Sequence, residues 1–234
     1  KINFMIEINN ITKKYSKEVV LDVLKLDIPD GQTFGLVGNN GAGKTTLFSC
    51  LLDLIKPTTG KINNNGIDVR QSEEWKKFTT AFLDESFLIG YLLPEEYFYF
   101  IGELRGLRKK EIDNFLLEFE EFFNGEIIGK KKYLRDLSKG NQKKAGIVAA
   151  LIGEPQVVIL DEPFANLDPS TQIRLKKIIK DLSSKGTTVL VSSHDLQDVT
   201  EVCKRIVLLE KGKVINDINT SKKTLSDLES YFKG

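Results

Sequence analysis

Alternating apolar and polar positions open the chain. MIEINNI, residues 5–11, switches character every second residue. VVLDVLKLDI, residues 19–28, is rich in branched side chains and closes on the turn signal Pro29-Asp30-Gly31. Both predict strands, and the short apolar run TFGLVG, residues 33–38, predicts a third that enters a glycine-rich turn. KTTLFSCLLDLI, residues 44–55, predicts a helix that stops before Pro57. GKINNNGID, residues 60–68, predicts a short hairpin.

The period changes between about residues 86 and 150. PEEYFYFIGEL, residues 94–104, has Pro94 at a first helical position and two acids behind it, as a helix start requires. KKEIDNFLLEFEEFF, residues 109–123, sets Ile112, Phe115, Leu116, Phe119, Phe122 and Phe123 on one face of a single amphipathic helix, with its charges as the solvated face. Another helix follows LSKGN. After Gly153-Glu154-Pro155 the alternation returns: a strand in QVVIL, a helix in STQIRLKKIIKDL, a strand in TTVLVSS and a hairpin in RIVLLEKGKVIN around Lys211-Gly212. A last short amphipathic helix carries Leu225, Leu228, Tyr231 and Phe232.

Strands alternating with helices predict an α/β fold with a mostly parallel sheet, interrupted by a helical insertion. The expected organisation is one domain over residues 1–234, with the core in 1–85 and 151–234 and the helical part in 86–150. SFLIGYLLPEEYFYF, residues 86–100, is dense in aromatics and reads either as core of that part or as an exposed groove for a membrane partner's helix.

Composition adds exclusions. Among 234 residues, 34 Lys+Arg balance 33 Asp+Glu for a net charge of +1, so bulk electrostatics points to neither nucleic acid nor anionic lipid. No apolar run approaches a membrane span, and no signal peptide is read at the start. Met5 could be a native start. Cys50 and Cys203 each lie in an apolar helix-like segment and read as buried small hydrophobes, which favours a reducing compartment.

Three stretches carry chemistry. GNNGAGKT, Gly38 to Thr45, has a phosphate-loop spacing between a predicted strand and a predicted helix. Gly38, Asn39, Asn40, Gly41, Ala42 and Gly43 curl the backbone so that N–H groups point inward, and Thr46 follows at the positive end of the helix. Lys44 supplies an ammonium for the β- and γ-phosphates, and the Thr45 hydroxyl suits Mg²⁺. The chain is therefore expected to bind a nucleoside triphosphate. VVILDEP ends a buried strand on two acids. Asp161 suits Mg²⁺-bound water, and Glu162, pointing elsewhere, suits a general base. The one histidine, His194, directly follows TTVLVSS, at the carboxyl end where the sheet should open onto its ligand.

LSKGNQKKAGIVAALIGEPQVVILDEPFANLDP, residues 137–169, resembles the signature-to-Walker-B segment of ABC transporter ATPases, and the resemblance spans almost the whole chain from ITKKY to the final hairpin. It implies a P-loop NTPase (RecA-like) core with an N-terminal antiparallel β subdomain and an inserted α-helical subdomain. It implies ATP and Mg²⁺ as ligands, with Tyr15 stacked on adenine, Glu162 and His194 as catalytic groups, and Thr45, Asp161 and a residue before the helical subdomain on the metal. That last position departs from the family's glutamine: TAFLDES offers Glu85, with Asp84 competing. A Glu there resembles a subset of bacterial exporter-type systems. The pentapeptide Leu137-Ser138-Lys139-Gly140-Asn141 departs at Lys139 and Asn141. Ser138, Gly140, Asn141 and Asp168 are implied to meet the nucleotide held by a second ATPase subunit, in a homodimer or heterodimer. The family further implies a transmembrane permease partner, no nucleic acid, and a place on the inner face of the cell membrane through that permease. The alternatives are a soluble ATPase of the same type on ribosomes or DNA, and a nucleotide-dependent scaffold without turnover. The transported substrate is not written in the sequence.

Overall fold

The computed structural model describes residues 4–220. The helix expected around Leu225 to Phe232, and residues 1–3, lie outside them.

Two sheets organise these residues. In the first, strands β1 (Phe4–Tyr15), β2 (Glu18–Pro29), β4 (Thr59–Asn64) and β5 (Ile67–Asp68) pair antiparallel in the order β2-β1-β4-β5. The alternation in MIEINNI has its physical basis here. Ile6, Ile8 and Ile11 are buried against Leu21, Leu26, Ile28 and Ile62, while the intervening positions are at least partly exposed. The second sheet has the order β10-β9-β3-β8-β7-β6, from β10 (Lys213–Asn219), β9 (Arg205–Glu210), β3 (Thr33–Val37), β8 (Thr188–Ser193), β7 (Val157–Leu160) and β6 (Thr79–Phe82). The five strands from β9 to β6 run parallel, and β10 adds an antiparallel edge. β3, β7 and β8 are buried at every position, as strands covered on both faces must be.

Helices follow these strands. α1 (Lys44–Leu51) ends four residues earlier than the run to Ile55 predicts, because Asp53 turns into the left-handed region at φ 51°. The helix expected over 109–123 is two: α3 (Lys109–Leu117) and α4 (Glu120–Phe123). Phe119 interrupts the helical backbone between them, yet Ile112, Leu116, Phe119, Phe122 and Phe123 all remain buried, so the burial pattern survives the break. α2 (Pro94–Leu104) starts where Pro94 predicts it, and the Glu96 carboxylate accepts the Leu93 N–H at 2.8 Å. α5 (Lys139–Leu151) is buried at every position from Gln142 onward, and α6 (Pro169–Ser184) matches its periodicity, Leu175 and Ile179 being fully buried and Ile178 and Leu182 packed against the core. α7 (Leu196–Val202) is an addition that the sequence pattern did not separate from the strands flanking it. Cys50 and Cys203 are buried free thiols, and burial pushes the Cys50 thiol up to about 11. Among the described residues no helix is long and apolar enough to cross a membrane.

The aromatic stretch 86–100 is mixed. Tyr97 and Phe98 join the core, while Phe87, Tyr91 and Phe100 are exposed.

Candidate nucleotide site

The three chemical stretches leave the same edge of the parallel sheet. β8 lies between β3 and β7, so the loop after β3, the acidic pair after β7 and the histidine after β8 emerge side by side at the carboxyl ends of adjacent strands.

The loop after β3 is shaped by backbone approach. A Cβ on Gly38 would lie 2.3 Å from the Leu209 carbonyl oxygen, so no side chain fits there. Gly43 holds φ 106° at the start of α1, a conformation that side chains rarely adopt. Lys44 folds back over this loop. Its buried ammonium donates to the Gly38 carbonyl at 2.6 Å and the Asn39 carbonyl at 3.4 Å. It also lies 3.0 Å from Glu162 Oε1, as an ion pair without hydrogen-bond geometry. Asn39, Asn40 and Gly41 are exposed, Ala42 is buried, and Thr45 and Thr46 begin α1.

Asp161 is nearly fully buried. It accepts from Thr45 Oγ1 at 2.5 Å and from the Ser192 hydroxyl. Burial raises its carboxyl above the ordinary range, and those two hydroxyl bonds oppose the rise. Glu162 turns away from it through a left-handed backbone at φ 47°, a strain of about 1–3 kcal/mol for a residue with a side chain. Its N–H donates to Ser192 Oγ at 2.9 Å, and its Oε2 lies 2.8 Å from His194 Nδ1. Lys143, buried on α5, donates to the Glu162 carbonyl at 2.8 Å and stands 3.7 Å from Glu85 Oε1. Burial lowers the pKa of the Lys143 ammonium, against the pull of Glu85, Glu162 and Asp161.

Lys44, Thr45, Asp161, Glu162, His194 and Glu85 are thus joined in one network. Asp84 faces elsewhere: it is exposed, and its carboxylate accepts the Ser86 N–H at 2.6 Å as the cap of the turn Glu85–Phe87. Tyr15 stands at the end of β1, half exposed, with the Lys13 ammonium 4.8 Å above its ring. Ser138 caps α5 by accepting the Asn141 N–H at 3.2 Å, and Ser138, Gly140 and Asn141 remain open to solvent in whole or part. A Cβ on Gly140 would lie 3.0 Å from the Asn166 carbonyl. Asp168 is exposed and accepts from Ser170 Oγ and Thr171 Oγ1, both at 2.6 Å, and from the Thr171 N–H at 3.0 Å. Those bonds hold its carboxyl far below the usual range and make it the cap of α6, with no bond to the phosphate loop of its own chain. Ser192 and Lys143 were not singled out by sequence reasoning. The two serines that break the apolar run of TTVLVSS were the available signal for Ser192.

The donors fit a hydrated magnesium ion. Of the oxygens expected on the metal, Glu85 Oε1 is buried without a hydrogen-bond partner, and Thr45 Oγ1 and Asp161 Oδ2 meet at 2.5 Å. Among the described residues no three His, Cys, Asp or Glu side chains form a metal cage by themselves. Mg²⁺ needs none, since it keeps waters and takes one or two carboxylates together with substrate phosphates.

Residues 21–165 match the family described as ABC transporter. An uncharacterized ABC transporter ATP-binding protein of Methanocaldococcus jannaschii is 34% identical over 223 residues, covering 90% of this chain and 76% of that protein. The bacitracin transport ATP-binding protein of Enterococcus faecalis is 31% identical over 232 residues, 94% of this chain and 71% of its own. A solved ATP-binding subunit of an ABC transporter superposes with a TM-score of 0.83 at 27% identity, covering 98% of this chain and 93% of that one.

Proposed function

The chain belongs to the ABC transporter family, and from that premise we propose that it is the ATP-binding and ATP-hydrolysing subunit of a transport complex. The observation that carries the reading is the convergence of Lys44, Asp161, Glu162 and His194 on one sheet edge: Lys44 and His194 contact Glu162 directly, and Ser192 bridges Glu162 to Asp161. N–H groups of the loop and of the start of α1 cradle the phosphates, the Ala42 N–H being the one that donates to the Asn39 carbonyl within the loop, and Tyr15 stacks on the adenine. Lys44 exchanges its ion pair with Glu162 for the β- and γ-phosphates. Glu162 Oε1 then accepts a proton from the water that attacks the γ-phosphorus, the bond to the β–γ bridging oxygen breaks and ADP leaves with that oxygen, while His194 holds Oε2 and so fixes the carboxylate plane. Thr45, Asp161 and Glu85 would hold Mg²⁺, which neutralises charge on the phosphate oxygens. Catalysis is positioning and charge stabilisation.

The exposed cap of α5 at Ser138 and Gly140 is an anion site for the γ-phosphate of a second subunit, with Asn141 and Asp168 beside it. A surface used mutually in this way gives a two-fold dimer. A permease would carry the pair at the inner face of the membrane and convert closure into movement.

Glu162→Gln should retain ATP binding and lower turnover by about a hundredfold or more, measured as phosphate release against equilibrium binding of labelled ATP. Lys44→Ala should lose the binding itself. Undiminished turnover by Glu162→Gln would remove Glu162 as the base.

A further inference from the structure

Lys143 enters the network from α5 and contacts the Glu162 peptide and the Glu85 carboxylate rather than the phosphate loop. Its side chain is 6% exposed, and it extends from α5 to two other segments. One contact is the Glu162 carbonyl at 2.8 Å, just after β7. The other is the Glu85 carboxylate at 3.7 Å, in the turn after β6. An ammonium removed from water is unfavourable unless its partners compensate, and here the partners are the backbone of one acid and the side chain of another. Among the described residues Lys44 is the other lysine paired with this acid cluster, and phosphates will take it. Lys143 is then the ammonium that stays with Asp161, Glu162 and Glu85.

Its bond to the Glu162 carbonyl falls on a strained residue. Glu162 adopts φ 47°, and that backbone turn directs its carboxylate to His194. A hydrogen bond to the carbonyl of the same residue holds the turn in place. We infer that Lys143 is a positioning residue: it fixes the Glu162 peptide and pairs with Glu85, so that α5, the acidic strand end and the Glu85 turn keep one register. Glu85 and Lys143 act as a unit, in which a carboxylate at the position after β6 requires the ammonium on α5. The inference rests on the ATPase reading for its kinetic half only.

The test is a cycle of Lys143→Met, Glu85→Gln and the double variant. Thermal unfolding is measured without magnesium or nucleotide. Lys143→Met takes the ammonium from the partly buried Glu85 carboxylate, and Glu85→Gln leaves the buried Lys143 ammonium with the Glu162 carbonyl but no carboxylate partner on the Glu85 turn; each should lower Tm by about 5 °C or more, and the double variant should lower it by clearly less than the sum of the two. In ATP hydrolysis Lys143→Met should reduce kcat about tenfold or more with KM within about twofold, and Lys143→Arg, which keeps the donor and the charge, should restore part of the kcat. Additive Tm shifts overturn the pairing. A Lys143→Met kcat equal to that of the wild type overturns the positioning role. If the wild-type chain itself shows no turnover, the ATPase reading falls, and the positioning role with it, while the Tm cycle still decides the pair.

Discussion

At the scale of single residues, the site is decided by side chains that serve two neighbours at once. Ser192 is one. Its hydroxyl donates to Asp161 and accepts the Glu162 N–H, so it orients both acids. Ser192→Ala leaves the Glu162 N–H, in a part-buried setting, without a partner. Such a loss costs about 1–3 kcal/mol, and we expect urea unfolding to show it, together with a kcat loss that exceeds any loss of ATP affinity. A variant as stable as the parent would contradict the bridging role. The sequence made some of these residues legible and hid others for a physical reason. Lys44, Asp161 and Glu162 announce themselves by spacing, because a phosphate loop and a strand end are local constructions. His194 is visible through its place after a buried strand. Ser192 and Lys143 act across 31 and 19 residues of separation, and a contact between distant segments leaves no periodic mark. The choice between Asp84 and Glu85 was open for the same reason. The geometry uses Asp84 as a local cap and turns Glu85 toward Lys143.

At the scale of elements, periodicity predicted what is buried better than where helices stop. Strands β1, β2, β3, β7 and β8 follow their alternating or apolar runs, and the hairpin of β4 and β5 turns at Asn65-Gly66 as its residues suggest. The run from Lys109 to Phe123 keeps its buried face but breaks at Glu118 and Phe119, since tertiary burial of Phe119 is satisfied without continuous helical bonding. α5 gives a sharper case. Gly146 lies in mid-helix, where alanine is intrinsically better by about 1 kcal/mol. A Cβ there would sit 2.1 Å from Cε2 of Phe82, a buried ring at the end of β6. Overpacking of this kind costs about 1–3 kcal/mol and outweighs the propensity gain. Gly146→Ala is therefore expected to destabilise, as read from the urea midpoint, and Phe82→Leu in the same chain should recover part of the loss. A stabilised Gly146→Ala would mean that β6 and α5 are not held this closely.

At the scale of the whole molecule, one chain carries the phosphate loop and the residues proposed as base and metal ligands but leaves the α5 cap facing solvent. Ser138 is exposed and its hydroxyl caps its own helix, which separates two roles that a single substitution can test. Aspartate caps a helix start as well as serine does, so Ser138→Asp should leave the fold and the ATP affinity of the single chain unchanged. It also adds a negative charge where the partner's γ-phosphate would dock, and like charges brought together at close range repel. In a Glu162→Gln background, which preserves ATP, we expect light scattering to report twice the chain mass with ATP and Mg²⁺, and a single-chain mass once Ser138→Asp is added. Persistence of the dimer in the double variant would place the shared phosphate surface elsewhere. Failure of Glu162→Gln alone to dimerise, with ATP bound, would separate nucleotide binding from closure and leave assembly to the permease.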